Sequence, residues 1–111
     1  MLREQLCQVL ERLHCSYRDL ASAAIDSTIQ IAASNAARSV ALTIERVRNP
    51  QERYQQRHPA DYALKRLVDI QIRFIEKMPV DWDEARRQRQ IQAMRNVTID
   101  LRSLIESERS A

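Results

Sequence analysis

Glycine is absent from the 111 residues, and proline occurs only at Pro50, Pro59 and Pro79. Without glycine the chain has no easy positive-φ positions, which disfavours tight hairpins, β-bulges and glycine loops that cradle phosphate. Lysine is nearly absent too: Lys65 and Lys77 are the only two, and the remaining basic residues are arginine. One Trp and one Phe are too few to build an aromatic face opposite the basic residues, so a membrane-surface helix is not expected. Long apolar runs are missing as well. The most apolar stretch, Leu20 to Val47, contains Asp26, Gln30, Asn35, Arg38 and Glu45, which excludes a spanning helix. The N-terminal "MLREQLCQVLERL" carries charges throughout, so no secretory leader is expected.

Hydrophobic residues make up 44% and charged residues 30%, a balance that suits a folded globular protein and not a disordered one. The length fits a single domain over 1–111, and the net charge of +3 is a mild basic excess. Cys7 and Cys15 lie eight residues apart in one helical pattern, about 12 Å of rise, which is too far for a disulfide between them. Reduced thiols in a cytoplasmic protein are the expectation.

The periodicity predicts helices over 2–14, 17–48, 60–78 and 82–108, with a connector at 49–59 holding at most a helical turn. Leu2, Leu6, Leu10 and Leu13 open one stripe, which Tyr17, Leu20, Ala24 and Ile31 prolong. Residues 2–48 therefore read as one long helix or as two. Ser16, with Asp19 three residues later, offers a capping role that places the break near Cys15–Tyr17. Asn49 before Pro50 terminates the second helix, and Pro59 suits the first turn of the third. Leu64, Leu67, Val68, Gln71, Phe74, Ile75 and Met78 form the main face of that helix, with Ile70 and Ile72 off it. Asp81 and Glu84 form a carboxylate capping box for the last helix. Its early turns, "ARRQRQ", offer almost nothing to bury and are expected to project into solvent or onto a partner.

The stretch "ASAAIDSTIQIAASNAARSVA" poses a packing question. On a helix Ile25, Ile29, Ala32, Ala36, Val40 and Ile44 line one face, beside a ridge of Ala33, Ala37 and Ala41. Small residues let a second helix approach closely. Two occupants are open: the chain's own bundle, or a twofold copy with Asn35 setting register. The reading taken is the copy, so the self-association residues are Ile25, Ile29, Ala33, Ala36, Ala37, Val40, Ala41 and Ile44. The fold expected is an all-α bundle of three to four helices, assembled as a homodimer.

Chemistry is thin. His14 and His58 lack companions at metal-ligand spacing, and the acids alternate with arginine in surface fashion. The small dimeric chorismate mutases share the length and the shortage of glycine, but the Asp and Lys pattern of their first helix is missing. No enzyme activity, cofactor or metal is expected. The "NVT" sequon at Asn96 lies within a predicted helix and is set aside. Arginine clusters at Arg86, Arg87 and Arg89, and at Arg46, Arg48, Arg53 and Arg57, could meet phosphates, yet Asp81, Asp83, Glu84 and Glu52 sit close by. A protein-binding regulator or adaptor is the favoured class, with Ile72, Phe74, Met78 and Trp82 as apolar anchors and Arg86, Arg87 and Arg89 as a polar rim. The alternatives are a helical secretion or folding chaperone and a nucleic-acid-binding protein using the arginine-rich last helix.

The segment "HPADYALKRLVDIQIRFIEKMPVDW", together with the length, the missing glycine and the arginine bias, resembles the small helical anti-activators with which bacteria sequester LuxR-type quorum-sensing regulators. The resemblance implies a cytoplasmic dimer that binds a transcription regulator's ligand-binding domain and blocks it. It carries no motif, so it assigns no residue.

Overall fold

Between Leu2 and Pro50 no residue breaks a helix by its backbone alone, so capping decides where the chain turns. The computed structural model describes residues 2–24, 26–77 and 84–110, and every regular element among them is helical. The elements are α1 (Leu2–Ala23), α2 (Ser27–Arg48), the short α3 (Arg53–Arg57), α4 (Pro59–Glu76) and α5 (Glu84–Ser110). The break expected at Cys15–Tyr17 falls instead between Ala23 and Ser27. Asp26, extended at φ −75° and ψ 124°, accepts hydrogen bonds from the Thr28 and Ile29 amides at 2.7 and 3.3 Å. A carboxylate at the positive end of α2 satisfies two orphan donors and meets the helix dipole, which a mid-helix serine cannot do. Ser16 stays inside α1, where its hydroxyl donates to Gln90 Oε1 at 3.4 Å.

The other boundaries follow from proline and from long-range caps. Asn49, which Pro50 keeps out of helical geometry, ends α2 and donates its side-chain amide to Glu45. In the connector, Gln55 is buried, and its Oε1 accepts from the Gln51 and Glu52 amides, which starts α3. Pro59 opens α4 as expected, and Glu108 of α5 accepts the orphan Ala60 amide at 3.0 Å. At the same end, the Arg3 guanidinium donates to Val47 O at 2.7 Å and to Gln56 O at 2.8 Å, tying α1 to the end of α2 and to α3. The Met78 and Asp81 assignments lie outside the described residues.

The four long helices form a closed ring in the order α1, α2, α4, α5, with α1 reaching α4 across the core. The molecule is elongated along the helices, about 45 × 23 × 19 Å. Tyr17 stands at the centre, fully buried, with its ring edge-on to Phe74 at 5.1 Å and its hydroxyl donating to Met94 Sδ at 3.3 Å. One α1 side chain thereby touches α4 and α5 together. Burial drives the Tyr17 phenol pKa well above its ordinary value, so it stays neutral. Truncating a buried aromatic of this kind costs ~3–5 kcal/mol.

The alanine-rich face closes within the chain. Ala33 and Val40 are fully buried, and Ala36, Ala37 and Ile44 nearly so, in one core with Leu6, Leu10, Leu13, Leu67 and Phe74, and Ile29 is buried as well. The self-association reading of this face is therefore corrected: α1 and α4 occupy it. Ala41 is exposed instead, Asn35 is exposed at the α2–α4 border, and Ile25 lies outside the described residues. The small side chains let α1 settle close to α2, the broadest helix contact in the ring. Replacing Ala37 with Leu forces extra methylenes into that contact. It should destabilise the chain by about 1–3 kcal/mol in urea unfolding. The mass measured by light scattering should remain that of the unsubstituted protein.

Candidate protein-docking surface

The ring has a different unpartnered side, and α4 creates it. The core face of α4 is Ala60, Ala63, Leu67, Ile70 and Phe74, all buried. Its apolar residues extend past that face. Val68, Ile72 and Ile75, at spacings of four and three, are 42%, 51% and 49% exposed. Ile99 of α5, 60% exposed, continues the surface across the α4–α5 seam. A groove of about 530 Å³ follows this seam, with Ile91 and Met94 on its floor and Arg95 and Arg102 on its α5 side. The Met94 carbonyl beside the groove is already satisfied: Thr98 Oγ1 and Gln71 Nε2 donate to it at 2.9 and 3.4 Å. What remains on offer is apolar area bordered by guanidinium groups. Scattered exposed apolar residues are ordinary, whereas contiguous apolar patches are a common feature of interaction sites.

The predicted partner-binding residues are not brought together. Ile72 lies on this surface. Phe74 is 2% exposed and packs on Tyr17, so it is a core residue and not an anchor. Its α4 position belongs to the stripe that Ile70 shares, and Ile70, read as off the main face, is buried with it. Met78 and Trp82 lie outside the described residues. Arg86 and Arg89 line a separate cleft of about 660 Å³ against the end of α1 and the start of α2, beside Asp19 and Asp26. Arg87 is half-buried and stands 3.9 Å from Glu84. The first turns of α5 are largely exposed, as expected, at Ala85, Arg86, Gln88 and Arg89, and only Gln90 is buried, against Ser16. Val68 and Ile75, placed on the main apolar face of the helix, were not named as partner-binding residues, nor were Ile99, Arg95 and Arg102. The available signal was the width of the α4 apolar arc, which exceeds what two neighbouring helices can cover.

No group of three His, Cys, Asp or Glu capable of holding a metal occurs among the described residues, and no described helix is long and apolar enough to cross a membrane. His14 pairs with Glu11 at 3.6 Å, and His58 lies near the Tyr54 ring. Cys7 is buried and Cys15 exposed, both as free thiols. No family model matches the sequence, and neither a curated protein nor a solved structure matches it.

One turn before Val68, a polar cluster fixes the start of α4. The Tyr54 hydroxyl donates to the Asp61 carboxylate, Lys65 Nζ stands 3.3 Å from Asp61, and the same ammonium lies 5.0 Å over the Tyr54 ring. The Tyr54 hydrogen bond, followed by Lys65, holds the Asp61 carboxyl below its usual range, while burial and the Asp61 bond push the Tyr54 phenol up. A lowered carboxyl pKa contributes stability that is complete above the unfolded-state value, about 3.9, and disappears as pH falls through the folded-state value. Asp61→Asn should therefore lower the urea midpoint at pH 6. The difference from the unsubstituted protein should shrink steadily as the pH is brought below about 4.

Proposed function

We propose that this chain is a non-enzymatic regulator that binds another protein through the α4–α5 surface. The observation that carries the reading is the exposed stripe of Val68, Ile72 and Ile75, whose Ile75 lines a groove together with Ile99 of α5. Its 3–4 spacing suits an amphipathic helix laid along the seam, with apolar anchors on the stripe and acidic residues meeting Arg95 and Arg102. Burying the remaining exposed half of each of Ile72 and Ile75 would contribute about 1 kcal/mol, and apolar anchors at the centre of an interface dominate its energetics. The partner class we carry over from the resemblance is a LuxR-type transcription regulator in a bacterial cytoplasm, with the chain acting as its anti-activator. The homodimer expected from the alanine face loses its basis, because Ile29, Ala33, Ala36, Ala37, Val40 and Ile44 are buried within the chain. A copy meeting on the α4–α5 surface would compete with the partner for it.

Affinity capture with mass spectrometry tests the reading when three proteins are run side by side. The unsubstituted chain should recover a transcription regulator. A chain carrying Ile31→Asp and Leu42→Asp, changed at two exposed apolar residues of α2, should recover it equally. A chain carrying Ile72→Asp and Ile75→Asp should lose at least tenfold of it, the equivalent of about 1.4 kcal/mol, with its helical circular dichroism intact. Equal recovery by all three would contradict the proposed surface.

A further inference from the structure

The opposite flank of α4 carries a second feature, which the sequence does not reveal because its residues come from two distant segments. Between α2 and α4 runs a groove of about 380 Å³ whose lining includes Arg38, Arg66, Arg73 and Lys77 and, among the described residues, no carboxylate. Asn35, Arg38 and Ser39 fall within one turn of α2, so an amide, a guanidinium and a hydroxyl enter the groove together. Arg66 and Arg73 face them from α4, one turn before and one turn after Ile70. Asp69, outside the groove, stands 3.8 Å from Arg66 and 3.3 Å from Arg73, which restrains both guanidinium groups. It neutralises one charge of four, and Arg38 and Lys77 have no carboxylate partner among the described residues. The floor is apolar: Ala32 and Ala36 from α2, Ile70 and Phe74 from α4. The alanines that let helices pack closely also leave this floor recessed.

We propose that this groove binds a small phosphate monoester with an apolar or aromatic body. The phosphate would sit among Asn35, Arg38, Ser39, Arg66 and Arg73, where forked guanidinium donors match its oxygens. The body would lie over Ala32, Ala36 and Phe74 towards Lys77. The volume fits a small molecule, since ligand sites begin at about 300 Å³. An acidic peptide or a nucleic acid would use the charge but not the short apolar floor. This site lies apart from the α4–α5 surface and does not depend on it.

Isothermal titration of the full chain with phenyl phosphate tests the assignment, with inorganic phosphate and phenol as the separated halves. The expected result is saturable one-to-one binding of phenyl phosphate, tighter than either half. Arg38→Ala, at an exposed position, should weaken it at least tenfold. Arg48→Ala, an exposed arginine outside the groove, should leave it unchanged. Equal weakening by both variants would reduce the effect to general charge and overturn the proposal, as would absence of saturable binding. Tighter binding of a duplex oligonucleotide or a glutamate-rich peptide at these arginines would also overturn it.

Discussion

Everything in this molecule depends on how closely α1 and α2 approach each other. Ala33 and Ala37 are small and buried, which lets the two backbones come close, and Leu6, Leu10, Leu13 and Tyr17 of α1 are fully buried in the same core. Had the two alanines been leucine, α1 would stand further out and Tyr17 could not meet Phe74 and Met94 at once. The alanine face therefore sets the diameter of the ring. The diameter in turn sets which residues of α4 are covered and which are left outside.

Polar ties at the helix ends then hold the register that close packing makes available. Arg3 spans α1, α2 and α3, Glu108 caps α4 from α5, and Arg12 of α1 bonds Asp100 of α5. The Arg12–Asp100 pair is solvent-exposed, where an isolated ion pair contributes little. The Arg3 and Glu108 contacts matter because they satisfy backbone groups that no helix can satisfy internally. They fix alignment along the bundle axis, while the apolar core supplies the driving force.

The helical class and the proline-bounded ends of α2 and α4 were legible in the sequence, because proline and 3.6-residue periodicity act locally. The turn between α1 and α2 was misplaced because serine and aspartate are both good caps. Only the tertiary fold reveals that Ser16 is needed against Gln90 while Asp26 is free to cap. The destination of the alanine face was equally hidden, since small residues invite a close neighbour without saying whether it is the same chain or another. Phe74 and Ile72 differ by two positions, about 200° around a helix, and sequence reasoning placed both on one docking face. The structure turns one to the core and the other outward. The basic groove could not be read at all, because Arg38 and Arg73 are brought together only by the packing of α2 on α4.

The fold thus spends its alanine-rich face internally and leaves α4 as the element with two open flanks, one apolar and one cationic. Both functional readings follow from that division. Isoleucine and alanine methyl NMR with a soluble paramagnetic agent tests it most directly, because signal loss tracks solvent access methyl by methyl. The account predicts strong attenuation at Ile72, Ile75 and Ile99 and protection at Ala33, Ala37, Ile44 and Ile70. Protected Ile72 and Ile75 methyls together with attenuated Ala33 and Ala37 methyls would contradict it.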